Sequence, residues 1–313
     1  MSVCTVDDPD FAGGEPEFQQ PLINTSSVAQ LEAFIQMAIR SRRGSAVMGV
    51  ITGNAGIGKT SAIEYVLEHF PPRAHTDLPA CIRIEVRPRS TAKMLAEDWL
   101  ARFGEVQHGK NTRQYSDEIH EANERNYLLC ALLDEANRMN DDCLELVRYI
   151  FDNPRHHRPV PVVLVGLPNI WNRIKRSETF ESRIGLRWVF EPLPADEILD
   201  TVLPKLVIPR WRYSPQDAND RHMGRFVWDN VKPSLRNLQR VLQVAGDLAE
   251  DYEEACITLE HIEEAFRLAK GKKVQLSKTE VPEPAEVGQG KHELESELRN
   301  AAKAEKRNRK RDE

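Results

Sequence analysis

A glycine-rich segment that ends in lysine and threonine carries the clearest chemistry in this sequence. Residues 53–60 read GNAGIGKT and fit the pattern G-x4-G-K-T without a mismatch. Glycines let backbone N–H groups turn inward around a phosphate, and a following helix N-terminus adds partial positive charge. Lys59 is predicted to reach the β- and γ-phosphates, and the Thr60 hydroxyl to coordinate Mg²⁺. The predicted ATP and Mg²⁺ site comprises Gly53, Asn54, Ala55, Gly56, Ile57, Gly58, Lys59, Thr60 and Ser61.

An acidic pair at the end of an apolar run supplies the second half of this chemistry. Residues 128–133 read LLCALL and are followed directly by Asp134 and Glu135, with Asp134 lying 74 residues after Thr60. Asp134 is predicted to support Mg²⁺, and Glu135 to polarise the attacking water. An exposed acidic pair at a strand end is the alternative interpretation. Together with residues 53–60, the pair predicts ATP binding and hydrolysis.

Hydrolysis also needs positive charge on the γ-phosphate, and three arginines are candidates. Arg183 precedes the last predicted strand and is a candidate to act in trans, in the site of a neighbouring subunit. Arg187 lies close by and is the competing choice. Arg236 opens a later helix and is a candidate to fold back onto the nucleotide. A surface position is the alternative interpretation of each.

Strand-like and helix-like patterns alternate through the first two thirds of the chain. The alternation predicts a parallel sheet with helices on both faces. After Pro194 the strand signals stop, and helical spacing predicts a small all-α lid. The predicted strands are 46–52, 81–86, 127–133, 160–166 and 186–190, and the predicted helices are 59–70, 91–103, 141–151, 196–206, 217–230, 234–250 and 259–270.

Charge and composition divide the chain into four predicted parts. They are a disordered acidic arm (1–20), an α/β ATPase core (21–193), a helical lid (194–270) and a charged flexible tail (271–313). The formal net charge is −6, of which −5 falls in the first 20 residues. Net charge therefore says little about the partners of the core.

Composition also excludes several classes of protein. Mean hydropathy is −0.53, and the chain has no apolar run of the length that a membrane span needs. The acidic N-terminus lacks the basic start of a secretory signal. Five scattered cysteines without a CxxC pair argue against a disulfide scaffold or a zinc site. A cytoplasmic protein with reduced thiols and no membrane partner is expected.

The order of these motifs resembles that of AAA+ ATPases. More narrowly, the chain resembles transposition regulators of the MuB/TnsC type, with IstB and TniB as relatives. The resemblance covers roughly residues 18–270, and it rests on FQQP at 18–21, GNAGIGKT at 53–60, LDEANRM at 133–139 and VLVG at 163–166. It implies an AAA+ core with a five-stranded parallel sheet, followed by a helical lid.

The resemblance also implies a function. The implied protein is an ATPase that assembles on duplex DNA as a ring or helical filament. Its hydrolysis is slow until DNA or a partner protein stimulates it. Such a homo-oligomer marks the target site of transposition, recruits a transposase, and is encoded by a bacterium, a phage or another mobile element. The N-terminal arm is too short for the helix-turn-helix domain of MuB, so a TnsC-like member addressed by a target-selection protein is expected.

The sequence departs from the AAA+ pattern after the fourth predicted strand. A polar residue usually stands directly there, whereas this chain has Leu167 and Pro168 before Asn169. Asn169 is the candidate for the sensing role, and loss of that role is the alternative.

Local charge indicates where DNA would bind. Residues 83–113 contain seven basic and four acidic residues. In the resembling family this region follows the DNA backbone, and Lys110, Thr112 and Arg113 are predicted to contact phosphates without reading bases. A solvated connection between helices is the alternative interpretation.

Two other functions fit the same motifs. One is a helicase-loader or replication-initiator adaptor, in which the ATPase grips a partner protein. The other is a nucleotide-gated switch with little turnover, which loss of the sensing residue would favour.

Overall fold

The computed structural model describes residues 20–42, 46–70, 80–105, 109–152 and 159–270, which contain a five-stranded, all-parallel sheet. The strands follow the spatial order β2-β3-β4-β1-β5. Their bounds are β1 Met48–Thr52, β2 Cys81–Glu85, β3 Cys130–Asp134, β4 Val162–Gly166 and β5 Ile184–Val189. All five predicted strands and their parallel arrangement are thereby confirmed.

The register of the sheet brings the chemical motifs to one edge. Thr52, the last residue of β1, pairs with Gly166, the last residue of β4. On the other side of β4, Leu133 pairs with Leu164, and Glu85 at the end of β2 pairs with Asp134. Ligands of open parallel sheets bind at the carboxyl ends of the strands. The segments that follow β1, β3 and β4 therefore converge where a ligand is expected.

Helices cover both faces of the sheet. One face packs against α1 (Ser26–Ser41) and α2 (Lys59–His69) through a buried apolar cluster. The opposite face carries a larger cluster. Its helices are α3 (Ala92–Ala101), α4 (Thr112–Arg125), α5 (Asp141–Asp152), α6 (Ile170–Ile174) and α7 (Glu178–Glu181). Because both faces are covered, the inner strands β1, β3 and β4 are buried along their whole length, whereas the edge strands β2 and β5 also carry exposed residues.

Helix α1 was not anticipated from the sequence, although its apolar residues follow a helical spacing. Val28, Leu31, Ile35 and Ala38 are buried against the sheet, at intervals of three and four residues. The helix therefore adds a layer to the core before β1 begins.

The C-terminal part of the described chain is helical, as predicted. It comprises α8 (Ala195–Glu197), a π-helical turn (Ile198–Val202), a 3-10 turn (Leu203–Lys205), α9 (Ala218–Val231), α10 (Leu235–Asp251) and α11 (Leu259–Lys270). The predicted helix over 196–206 is present as an uninterrupted helical segment from Ala195 to Lys205, but its geometry changes from α to π to 3-10. Pro204 has no N–H to donate and disfavours a regular α-helical turn at this point.

The predictions for the N-terminal arm (residues 1–19) and the tail (271–313) lie outside the described residues. Within the described ranges, none of the helices combines the length and the apolar character needed to cross a bilayer.

The packing of β1 gives a test of the fold. Ile51 is fully buried and lies one residue before the end of this central strand. Replacing Ile51 by Ala should lower the free energy of unfolding by about 2–5 kcal/mol, because a cavity remains in the core. Val189→Ala on β5, where the side chain is 60% exposed, is the control and should change it by less than about 0.5 kcal/mol. Equal effects in chemical denaturation would contradict this packing.

Candidate nucleotide-binding site

The phosphate-binding loop lies between β1 and α2, as the motif predicts. Gly56 and Gly58 have φ angles of +74° and +98°, a region that favours glycine. A Cβ atom on Gly56 would lie 2.6 Å from the hydroxyl of Ser234, the residue that precedes α10. The loop therefore also needs glycine so that the start of α10 can pack against it. These glycines let the loop turn directly into the first residues of α2.

The Lys59 ammonium is held at the mouth of this loop. Its Nζ donates to the carbonyl oxygens of Gly53 and Asn54, at 2.8 and 2.7 Å. Burial lowers the pKa of Lys59 below the ordinary lysine value of 10.5, while the nearby carboxylates of Glu135 and Asp134 act to raise it. Lys59 therefore lies where the charged groups of the cleft converge.

Thr60 and Asp134 form an oxygen-rich pair that fits magnesium. The Thr60 hydroxyl donates to Asp134 Oδ2 at 2.9 Å, and the Glu135 N–H donates to Asp134 Oδ1 at 2.9 Å. Only 1% of Asp134 is exposed, and its buried charge is balanced by Arg83, whose Nη2 lies 2.9 Å from Oδ2. Hydroxyl and carboxylate oxygens are ligands that Mg²⁺ prefers. A bound Mg²⁺ would neutralise charge on the nucleotide phosphates.

Glu135 sits in a strained backbone conformation next to this pair. Its φ angle is +55°, which is uncommon for a residue other than glycine and is frequent at functional sites. Its Oε2 lies 3.6 Å from Arg138 Nε. Arg138 is itself anchored, because its Nη1 donates to the Val86 carbonyl at 3.1 Å and lies 3.3 Å from Glu85 Oε1. The carboxylate predicted to polarise water is therefore held by a fixed cation.

The asparagine that lines the cleft at the end of β4 is Asn137, and not Asn169. Asn169 is exposed and is not one of the described residues that line the cleft. Asn137 lines the cleft instead, and its Oδ1 accepts the Leu167 N–H at 2.9 Å. A Cβ atom on Gly166 would lie 2.7 Å from that oxygen, so the glycine permits the close approach. The amide of Asn137 thus lies at the end of β4, where the sequence analysis had placed Asn169.

Arg236 lines the cleft from the first turn of α10. Its backbone N–H donates to the Gly56 carbonyl at 3.2 Å, and its charge contributes to lowering the pKa of Lys59. Ser234 caps the start of α10 by accepting the Asn237 N–H. The cap places Arg236 in the first turn of α10, beside the phosphate-binding loop.

The other half of the cleft is apolar, a feature that the motifs did not reveal. The whole cleft has a volume of about 450 Å³. Its apolar wall is formed by Leu22, Ile23, Val28, Phe190, Leu193, Val202, Leu206 and Leu238. An apolar wall beside a polar phosphate loop suits the flat base of a nucleotide.

Two polar contacts join Gln20 and the first residue of α1 to the C-terminal helical part of the chain. The Gln20 side chain donates to the Val207 carbonyl at 2.6 Å and accepts the Val207 N–H at 3.0 Å. Glu197 accepts the backbone N–H of Ser26 at 2.5 Å and its hydroxyl at 2.6 Å. Segments that are 171 and 187 residues apart in the sequence are thereby held together beside the cleft.

Comparison with known proteins agrees with this geometry. Residues 42–174 match the family model described as an AAA domain. The described fold is also similar to solved structures whose chains bind nucleotide or DNA. No curated protein sequence matches the chain.

Three of these structures are as follows. The Aeropyrum pernix ORC1 protein in complex with DNA has a TM-score of 0.59 at 19% identity, over 80% of this chain and 66% of that chain. The Aeropyrum pernix ORC2 protein in ADPNP–ADP complexes has a TM-score of 0.65 at 14% identity, over 83% of this chain and 72% of that chain. Drosophila ORC bound to DNA has a TM-score of 0.55 at 15% identity, over 85% of this chain and 70% of that chain. This chain thus spans just under two thirds of the ORC1 chain.

The chain has the fold of an AAA+ ATPase. At these identities the likeness shows the fold alone, so the chemistry of this chain rests on its own residues.

Arg183 lies apart from the cleft of its own AAA+ core. Its guanidinium pairs with Asp152, with Nη2 at 2.6 Å from Oδ2 and Nε at 2.7 Å from Oδ1. The competing candidate, Arg187, lies 4.5 Å above the Trp171 ring and 3.5 Å from Glu181 Oε1. Neither arginine lines the cleft among the described residues. A role in a neighbouring subunit's site remains a prediction for Arg183.

The predicted DNA-contacting residues lie at the start of α4, in a groove separate from the cleft. Thr112 and Arg113 line this groove, and both are exposed. Lys110 lies two residues before α4 begins; it is half-buried and pairs with Glu118 of that helix. Asn111 caps α4 by accepting the Gln114 N–H at 3.0 Å. Of the predicted trio, Arg113 is therefore the exposed cation.

The position of Lys59 gives a direct test of the cleft. Lys59→Ala removes the ammonium that the loop holds for phosphate, so affinity for ATP should fall by at least about tenfold. Equilibrium binding of a fluorescent ATP analogue measures this loss. Lys175→Ala, which removes an exposed lysine outside the cleft, is the matched control and should bind as the wild type does. Unchanged affinity in Lys59→Ala would contradict the role of the loop.

Proposed function

We propose that this protein is an ATP-hydrolysing switch that assembles on duplex DNA. One observation carries the proposal: a single cleft brings together Lys59, the Thr60–Asp134 pair, Glu135 and Arg236. These groups have separate roles in phosphoryl transfer, which depends mainly on positioning and on charge stabilisation. A phosphate-binding loop serving only structure would not need this combination.

Each group has a distinct role in the proposed reaction. Lys59 and Arg236 hold the phosphates, and Asp134 with Thr60 holds Mg²⁺. Glu135 accepts the proton of the attacking water, and its contact with Arg138 orients the carboxylate. Asn137 is proposed to take the sensing role that the sequence suggested for Asn169, because Asn137 lines the cleft.

Assembly is proposed to complete the active site. Arg183 is held by Asp152 away from the cleft of its own subunit, so it can act on nucleotide only in the cleft of another. An arginine supplied in trans couples hydrolysis to the contact between subunits. Turnover should therefore be slow in the isolated chain and faster in assemblies.

The DNA-bound form is proposed to select targets in transposition. The motif order and the resemblance to MuB/TnsC regulators support this proposal, which includes recruitment of a transposase and contact with a target-selection protein. DNA contact is proposed at the groove that contains Thr112 and Arg113. Backbone contacts of this kind position a protein on DNA without reading its sequence.

A replication-initiator adaptor is the second candidate. The likeness to the Aeropyrum ORC1 protein in complex with DNA and to Drosophila ORC bound to DNA favours it. The two candidates differ in their partners: a transposase in one case, and a replicative helicase or its loader in the other.

Electron microscopy with duplex DNA tests the proposal. Full-length protein is mixed with DNA of unrelated sequences and with ATP, ADP or a non-hydrolysable analogue. Regular assemblies that require an ATP-like nucleotide and form on every sequence support the target selector. Binding confined to particular sequences would favour the initiator, and a lack of nucleotide-dependent assembly would contradict both.

Glu135→Gln tests the role of the glutamate. The amide keeps the size of the side chain but cannot accept a proton, so hydrolysis should fall by about 100-fold or more while ATP binding persists. Phosphate release and nucleotide binding are measured in parallel. Turnover at the wild-type rate would remove Glu135 from the proposed role.

Arg113→Ala and Lys110→Ala test the DNA surface. Arg113→Ala should weaken DNA binding and reduce the slope of log affinity against log salt by about 1, because one phosphate contact is lost. Lys110→Ala should have a smaller effect, since Glu118 engages its ammonium. Arg125→Ala, at the other end of α4, is the control. Equal salt slopes in Arg113→Ala and Arg125→Ala would exclude this surface.

A further inference from the structure

Arg83 on β2 places its guanidinium among three carboxylates beside the cleft. Nε and Nη2 lie 3.0 and 2.9 Å from Asp134 Oδ2, and Nη1 lies 2.9 Å from Glu64 Oε1. Nη2 is also 3.6 Å from Glu85 Oε2. The Arg83 side chain is only 18% exposed, so these are partly desolvated contacts. In the sequence, Arg83 is the first residue of the basic segment 83–113, which is predicted to contact DNA.

The contacts of Asp134 leave little room for a further hydrogen bond to its Oδ2 atom. Oδ2 accepts from the Thr60 hydroxyl and from two nitrogens of Arg83, while Oδ1 accepts the Glu135 N–H. A carboxylate oxygen offers about two lone-pair directions. A water bound to magnesium would need one of the same directions on Asp134. Arg83 therefore occupies the oxygen that supports the metal.

We propose that Arg83 is a positioning residue that opposes metal binding until nucleotide phosphates are present. This inference rests on the proposed nucleotide site and adds the order in which its ligands bind. Without nucleotide, the guanidinium neutralises the buried Asp134 carboxylate, and its charge repels a divalent cation. The phosphates of ATP bring enough negative charge to offset that repulsion.

The carboxylates of Glu64 and Glu85 explain how the Arg83 guanidinium can move away from Asp134. Glu64 lies on α2 and Glu85 at the end of β2, and both are about half exposed. They retain the guanidinium when it moves off Asp134 Oδ2, so the arginine is never left without a counter-charge. Arg83 thereby links magnesium binding to nucleotide binding while touching neither the substrate nor the attacking water.

Manganese binding to the nucleotide-free protein tests this proposal without measuring activity. Mn²⁺ is titrated into full-length protein, and free Mn²⁺ is followed by electron paramagnetic resonance. Arg83→Gln removes the positive charge but keeps a hydrogen-bond donor, and it should bind Mn²⁺ at least about tenfold more tightly than the wild type. With ADP present, the difference should become smaller.

Arg87→Gln is the matched control. Arg87 lies two residues beyond the end of β2, is exposed, and pairs with Asp98 rather than with a residue of the cleft. Its Mn²⁺ affinity should stay within about twofold of the wild type. Equal tightening in both variants would show a general charge effect and would overturn the specific role of Arg83.

Arg83→Lys covers the case in which Arg83→Gln fails to fold. Lysine keeps the charge but cannot bridge Glu64 and Asp134 as the forked guanidinium does. Its Mn²⁺ affinity should be about threefold tighter than that of the wild type. Affinity equal to or weaker than that of the wild type, in either folded variant of Arg83, overturns the proposal.

A parallel measurement separates this inference from the proposed function. Binding of a fluorescent ADP analogue to the wild type is measured with EDTA and then with Mn²⁺. A lack of nucleotide binding under both conditions would contradict the proposed function itself. Normal nucleotide binding together with unchanged Mn²⁺ affinity in the Arg83 variants would overturn only the role of Arg83.

Discussion

The hydrogen bond between Thr60 and Asp134 is the contact on which the rest of the site depends. It joins the first turn of α2 to the end of β3, across 74 residues of sequence and at a distance of 2.9 Å. It can form because β4 lies between β1 and β3 in a parallel sheet, so that their carboxyl ends share one edge. The apolar layers on both faces of the sheet hold that edge in register.

Much of the fold and the phosphate end of the site could be predicted from sequence, because both are local. The glycine loop with Lys59 and Thr60 is one continuous segment, and the acidic pair follows one buried strand. Apolar runs predicted β1, β3 and β4, which helices cover on both faces, and an alternating pattern predicted β2. Helix α1 also has buried apolar residues at helical spacing, although it was not predicted.

The remainder of the site depends on how distant segments meet. Arg83 was grouped with neighbouring basic residues, and only the pairing of β2 with β3 directs it to Asp134. Asn137 reaches the end of β4 from the turn after β3, whereas Asn169 is exposed. The apolar wall combines residues before α1 with residues after β5. None of these contacts has a signature in local spacing.

The central claim is that this AAA+ cleft binds ATP with magnesium. Isothermal titration of the full-length wild-type protein with ATP and Mg²⁺ tests it most directly. The account predicts one nucleotide bound per chain, with affinity that weakens when EDTA removes the metal. Absence of binding, or binding that does not respond to the metal, would contradict it.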